Sequence, residues 1–392
     1  MGAKDAAKER LGEEQDRLLN LSHRIHAHPE LAFQEEQACA WLCETLGDAG
    51  FAVERGAYSL PTAFVARYGS GPLHIAICAE YDCLPEIGHA CGHNIIAAAA
   101  AGAGIAAARV ADDVGLTISV IGTPAEEGGG GKIMLLDRGA FDGVHAAMMV
   151  HPSPADVAEP PIIAVQHFDV WYTGKEAHAA SYPEQGINAA DALTIAQVAI
   201  GLLRQHIRPA DRIHGIITKG GDAPNIIPAH TSAKYYVRAR TLAKLDSVRE
   251  KVDRCFEAGA LATGAKLEMK DVEQAYAQME HDREIATAYK RNAEALGRVF
   301  VSPGPGLQRF AGSTDMGNVS LVMPAIHPMI GISSAPASNH QPEFTEHCVT
   351  ESADRAVLDG ALAMAWTAID MASETELRER ILRGERDVGV TR

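Results

Sequence analysis

No stretch of this sequence is apolar for long enough to cross a bilayer. The longest run built only of apolar residues and glycine is Ile95 to Ala108, well short of the ~20 residues a spanning helix needs. Its Ala and Gly content suits a helix packed tightly inside a protein. An excess of positive charge is also missing. Lys and Arg number 35 against 51 Asp and Glu, a formal net charge of −16, which disfavours a nucleic-acid backbone or an anionic membrane surface as partner. Met1-Gly2-Ala3-Lys4-Asp5 leads straight into charged, helix-like sequence, without the apolar segment of a signal peptide. Ala6 stands where a myristoylation signal needs Ser or Thr. The cysteines lack the even count of a disulfide framework: there are seven in a long chain, which fits reduced thiols. These absences lead to the expectation of a cytoplasmic protein with neither nucleic acid nor membrane as partner.

What is present is an ordinary globular composition, 47% hydrophobic and 22% charged over 392 residues, enough for two or three domains. There is no fixed-period repeat and no low-complexity linker. Residues from about Glu9 to Gly50 read as two helices interrupted at Pro29, with Ala38, Trp41, Leu42 and Leu46 at helical spacing. His74–Ala79, Leu116–Gly122 and Ala146–Val150 are compact apolar runs of the kind buried parallel strands show. An Ala-rich helix starts near Asn94, between the first two. This alternation predicts an α/β domain with a central sheet flanked by helices.

From about Ile163 the texture changes. Strands at Ile163–Thr173, His214–Lys219, Thr231–Arg240 and near Lys266–Val272 are separated by helices at Gly186–His206 and Ala243–Ala262. That pattern predicts a smaller α+β domain inserted into the larger one, over residues 163–279, with 1–162 and 280–392 forming the main domain. A charged stretch from Glu374 to Arg392 reads as surface helix plus tail.

Each of the three strands in the first domain runs into a loop of candidate metal ligands or acids. Glu80-Tyr81-Asp82-Cys83 and His89-Ala90-Cys91-Gly92-His93-Asn94 follow the first. Thr123-Pro124-Ala125-Glu126-Glu127 and four glycines follow the second, and His151-Pro152 follows the third. In open α/β sheets the ligand site lies outside the carboxyl ends of the strands, so these loops should converge. Cys91 and His93, one glycine apart, can both face one ion. Thiolate, imidazole and carboxylate together suit Zn²⁺, and the imidazole–carboxylate part also suits Mn²⁺ or Co²⁺. Glu126 and Glu127 repel each other unless something positive lies between them. One could bind a metal while the other takes a proton from the metal's water, a combination that hydrolyses amides or esters. Gly128–Gly131 with Lys132 is no phosphate loop, because no Ser or Thr follows the lysine and the spacing is wrong.

Cys91-Gly92-His93, Pro124-Ala125-Glu126-Glu127-Gly128, His151 and Asn339-His340-Gln341-Pro342-Glu343-Phe344 resemble the motifs of the M20 metallopeptidase and amidohydrolase family. The likeness is greatest to its aminoacylase-like branch, in which a Cys replaces a bridging Asp. His28-Pro29-Glu30-Leu31 resembles that branch as well. Gly174-Lys175-Glu176-Ala177-His178-Ala179-Ala180 and Pro224-Asn225-Ile226-Ile227-Pro228 are similar to the family's inserted lid, and Gly312–Asn318 to a segment of its catalytic domain. Within the branch, Ala79-Glu80-Tyr81-Asp82 with Gly88–Asn94 is most similar to M20-domain dipeptidases that act on dipeptides with a basic C-terminal residue, relatives of aminobenzoyl-glutamate hydrolases.

The resemblance implies a two-metal site (Zn, Mn or Co) held by Cys91, His93, Glu127, His151 and His340, with Cys91 bridging. It implies Glu126 as general base on a metal-bridged water and later proton donor to the leaving amine. His178 and Asn225 on the lid would polarise the scissile carbonyl or stabilise its oxyanion. In dimeric relatives that His reaches the neighbouring subunit's site, so a homodimer through the lid is expected. Asp82 and His89 are expected beside the metals as supports. Asn94 departs from the Asp that many branch members carry, which puts its support of a ligand in doubt. The expected function is hydrolysis of a dipeptide or N-acyl amino acid amide bond. The alternatives are an aminobenzoyl-glutamate-type or N-acyl amino acid hydrolase, and, from another class, an idle metal-stabilised binding scaffold. The intact set of donors beside Glu126 argues against the scaffold.

Overall fold

The computed structural model describes residues 2–301 and 312–389. Its chain divides into two compact units, Met1–Pro161 with Met279–Arg392, and Ile162–Gln278. In chain order the first unit begins with α1 (Ala3–Ala27), α2 (Glu36–Asp48), β1 (Ala52–Arg55), β2 (Phe64–Gly69) and β3 (Leu73–Ala79). It continues with α3 (His93–Ala108), α4 (Ala111–Val114), β4 (Leu116–Gly122), α5 (Gly131–Asp137), β5 (Ala146–Met148) and β6 (His151–Ser153). The second unit holds β7 (Ala164–Thr173), α6 (Ala189–Leu203), β8 (Arg212–Lys219), β9 (His230–Ala239), α7 (Leu242–Thr263) and β10 (Lys266–Asp271). The first then resumes with α8 (Arg283–Ala295), α9 (Met316–Ser320), β11 (Ala325–Ile326), β12 (Met329–Gly331), α10 (Pro342–His347), α11 (Glu351–Ser373) and α12 (Thr375–Leu382). Leu377 and Ile381 of α12 are buried, so this charged segment still packs one apolar face. Residues 390–392 of the tail lie outside the described residues.

The first unit is built on a six-stranded mixed sheet in the order β1-β2-β4-β3-β5-β11. β3 runs parallel to both β4 and β5, whereas β2 is antiparallel to β4 and to β1. One finding departs from the sequence reading. β1 and β2 were not anticipated, because they are short and partly exposed and so lack the continuous apolar signature of the central strands. β12 pairs with β6 in a separate two-stranded sheet.

Helix α3 is buried along its whole length. A helix apolar on every face belongs inside a protein, and its alanines and glycines let neighbours approach closely. It packs against α1, α11 and the strands β3 and β4. The ladder sets the level of the functional loops: Ala79 pairs with Gly122, and Ile77 with Met148. Strands β3, β4 and β5 therefore end side by side and release Glu80, Thr123 and Met149 at one edge. The second unit carries its own core beneath a four-stranded antiparallel sheet, β10-β7-β9-β8, with Phe168, Tyr235 and Phe256 in mutual ring contact.

Candidate metal centre

The loops leaving β3, β4 and β5 meet, joined by the segment before α10. Cys91 Sγ lies 3.4 Å from His151 Nε2 and 3.4 Å from His340 Nε2. His340 Nε2 is 3.6 Å from Glu127 Oε1. His93 Nε2 faces three carboxylate oxygens, Glu80 Oε2 at 3.6 Å, Glu126 Oε2 at 3.7 Å and Glu127 Oε1 at 3.8 Å. Donors about 2.0–2.3 Å from one tetrahedral ion lie roughly 3.4–3.6 Å apart, and these separations fall on or just beyond that range. Three donor triplets emerge: Cys91 with His93 and His151, Cys91 with Glu127 and His340, and Glu80 with His93 and Glu126. Cys91 belongs to two of them.

Backbone geometry explains how adjacent residues reach one point. Gly92 between Cys91 and His93 has φ +74°, and a Cβ there would come within 2.5 Å of the Pro152 ring. Only glycine allows this turn with His151-Pro152 packed so close. His340 also adopts a left-handed conformation, φ +68°, and its N–H donates to the Ala90 carbonyl. Such conformations in non-glycine residues persist where the surroundings enforce them.

The donors are oriented by a second set of contacts. His93 Nδ1 is 3.0 Å from Asp82 Oδ1, which turns Nε2 toward the cluster, and Asp82 Oδ2 accepts the Glu127 N–H at 3.0 Å. His151 Nδ1 lies 2.9 Å from the Pro152 carbonyl, so that nitrogen is the donor and Nε2 is free to bind. Asn339 donates to the same carbonyl. Asn94 supports no donor. Its amide donates to Ser22 Oγ and the Cys348 carbonyl, tying α3 to α1 and to the turn before α11. His89 is buried, and its ring stacks 6.1 Å from that of His26.

The charge balance calls for a cation. Burial, and after it the charges of Glu80 and Glu127, push the Glu126 carboxyl well above the carboxylate range. Burial disfavours a charged His93, but Asp82, Glu80 and Glu127 outweigh it and lift the imidazole to about 10. Among the described residues, His93 Nε2, Glu80 Oε2 and Glu127 Oε1 are buried with no hydrogen-bond partner. Buried polar atoms are seldom left so, and three of them converging among carboxylates and a thiol fit divalent cations. The residues present therefore suit metal.

One layer out, the sequence reading missed a buried ion triad. Lys132 Nζ lies 2.5 Å from Glu80 Oε1 and 2.7 Å from Asp315 Oδ1, and the Lys132 N–H donates to Asp315 Oδ2 at 2.8 Å. Lysine after a glycine run, with an acid 183 residues later, leaves no local signal of the pairing. His178 and Asn225 lie in the second unit, exposed and on adjoining segments, with the Ala179 N–H donating to the Asn225 carbonyl. His178 Nδ1 accepts from the Ala180 and Ser181 N–H groups, which leaves the ring proton on Nε2.

Comparison with known proteins bears on this arrangement. The sequence profile of peptidase family M20/M25/M40 matches residues 77–357. The Xaa-Arg dipeptidase of Mus musculus is 40% identical, over 96% of this chain and 91% of that protein. A p-aminobenzoyl-glutamate hydrolase chain of Escherichia coli is 32% identical, over 66% of this chain and 58% of its own length. Among solved structures, the Bacillus subtilis YXEP protein, described as a dinuclear metal binding peptidase, superposes with a TM-score of 0.68. That match has 22% identity and covers 91% of this chain and 98% of that one.

Proposed function

We propose, from the premise that this chain belongs to peptidase family M20/M25/M40 and is a metallo-amidohydrolase, that it cleaves dipeptides with a basic C-terminal residue at a centre holding two divalent cations. The single observation that carries the reading is the convergence of unpartnered buried donors around Cys91. Cys91, His93 and His151 would hold one cation, and Cys91, Glu127 and His340 the other, with the thiolate shared. Zn²⁺, Mn²⁺ and Co²⁺ all suit this donor set. Bound there, the cations supply Lewis acidity that polarises a carbonyl and makes water acidic near neutral pH.

Glu126 takes the proton of the attacking water at a carboxylate oxygen and returns it to the leaving amine. Its burial, with the charges of Glu80 and Glu127 beside it, makes it a stronger base than an exposed glutamate. Asp82 holds His93 in the tautomer that presents Nε2. His178, with its Nε2–H available, and Asn225 are assigned to the carbonyl oxygen as it gains charge. Residues 163–279 act as lid and dimerisation domain in this reading. The edge strand β8 exposes Ile216 and Ile217, an apolar sheet edge of the kind that pairs with a second copy, and α6 separately exposes Val198 and Leu202. A thiol donor and seven free cysteines fit a reducing cytoplasm.

The test is amine release from dipeptides ending in Arg, Lys or Glu, beside N-acetyl and aminobenzoyl amino acids, with Mn²⁺, Zn²⁺ or Co²⁺ supplied and after chelation. Chelator-sensitive cleavage of the Arg and Lys dipeptides is expected. The likeness to the Escherichia coli p-aminobenzoyl-glutamate hydrolase supports a second reading, and preference for the aminobenzoyl substrate would select it. Glu126→Gln should keep both cations and lose turnover.

A further inference from the structure

Glu35, the residue that caps α2, is fully buried, an uncommon place for a glutamate. It belongs to none of the donor triplets. Its Oε1 accepts two backbone N–H groups, from Phe33 at 2.9 Å and from Ala125 at 2.9 Å. Both residues are non-glycine and both sit in the left-handed region, Phe33 at φ +62° and Ala125 at φ +58°. That conformation is disfavoured for any residue with a Cβ and persists only where neighbours hold it. One carboxylate oxygen thus clasps two strained turns from distant parts of the sequence.

Ala125 immediately precedes Glu126, so its backbone conformation sets the direction from which the Glu126 side chain leaves. The loop is held on its other side too. The Gly130 N–H donates to the Ala125 carbonyl at 3.1 Å, and a Cβ on Gly129 would come within 2.4 Å of the Phe33 ring. The aromatic ring of the first strained turn therefore covers the loop of the second. On the far side of Glu126, the Glu127 N–H is held by Asp82. The N–H groups flanking Glu126 are each bound by a buried carboxylate. Asp82 also orients His93, whereas the Glu35 carboxyl reaches the two turns and the Thr62 side chain.

We infer that Glu35 is a positioning residue for the reaction: it locks the left-handed turn at Ala125 and so aims the Glu126 carboxylate. The inference rests on Glu126 being the base.

The test compares Glu35→Gln, Glu35→Asp and Glu35→Ala in the full chain. Metal content is measured by mass spectrometry, with kcat and KM on the cleaved dipeptide and a thermal melt. Gln keeps the length and an acceptor oxygen, Asp keeps the charge but falls one methylene short, and Ala removes the clasp. With two cations per chain in every variant, E35Q should stay within about 5-fold of the parent kcat. E35D and E35A should lose about 30- to 100-fold in kcat with KM within about 3-fold, the scale of a misplaced catalytic group. Glycine adopts a positive φ freely, so in an Ala125→Gly background the loss caused by E35D should shrink at least about 3-fold.

A fully metallated E35D with parental kcat overturns the inference, and E35D is the variant to use should E35A not fold. So does an E35Q as impaired as E35A, which would make charge and not the clasp the cause. Loss of a cation in step with activity overturns it as well, because Glu35 would then act through the metals. Should Glu126→Gln keep parental turnover, it is the base assignment that fails, a result separable from all of these.

Discussion

Replacing Lys132 with methionine tests the buried charge network behind the metal centre. Lys132 is fully buried between Glu80 and Asp315, and methionine keeps its length while removing the charge. Breaking a buried pair by deleting one partner costs about 3–5 kcal/mol, because the remaining charge is left without an answer. Here two carboxylates are stranded, which favours the upper end of that range. Proton uptake limits the loss. Even with the lysine in place, burial pushes the Asp315 carboxyl up to about 6 against the pull of Lys132. For a unit of this size roughly 1–2 °C of Tm accompanies each kcal/mol, so a fall of about 3–10 °C is expected.

The melt is followed by near-ultraviolet circular dichroism on chelated protein, so that metal binding does not mask the difference. The sign of the pH dependence follows from linkage. Without the lysine the Asp315 carboxyl holds its proton more tightly folded than unfolded, so folded stability drops as pH rises. The deficit of K132M should therefore be smallest near pH 5 and grow toward pH 8. Adding Asp315→Asn should restore part of it, since one stranded charge is gone. A Tm within about 2 °C of the parent at pH 8, or a deficit independent of pH, would refute the reasoning.

Asp82→Ala should weaken metal binding by about 10- to 100-fold, as removal of a ligand's orienting partner does, read by titration calorimetry. Cys91→Ala removes the donor shared by two triplets and should lower bound metal below two ions per chain by elemental analysis. Burial, with Asp82 adding to it, pushes the Glu35 carboxyl up to about 7. The folded state then holds a proton that the unfolded chain has lost between about pH 4.5 and pH 7, so this group takes stability away as pH rises through that window. Glu35→Gln should consequently gain Tm relative to the parent between pH 5 and pH 8, and an unchanged difference would contradict the shift. On the proposed lid-dimer reading, Ile216→Lys with Leu202→Glu should shift sedimentation from dimer to monomer while leaving the melting temperature of the chain little changed.

How much could be read beforehand depended on the range of the interaction. The all-round apolar pattern of Ile95–Ala108 specifies a buried helix because every face of that helix must leave water, and it does so without reference to any partner. The apolar runs of β3, β4 and β5 were legible for the same reason, and strands of that kind end where loops carry chemistry. β1 and β2 were not. They lie toward one edge of the sheet, where only part of each strand is covered, so their burial comes from which neighbour they pair with.

The sequence by itself thus determined the composition of the candidate site, a thiol, imidazoles and paired carboxylates near the ends of strands, and the family it resembles. Only the tertiary structure decided which oxygen faces which nitrogen. It turned Asn94 away from the cluster to bind Ser22 and Cys348. It enclosed Lys132, which follows a glycine run, between Glu80 and Asp315. It also placed Glu35 under Ala125. Local pattern sets which segments leave water, whereas the pairing of buried charges joins residues far apart in sequence and exists only once the chain has closed around them.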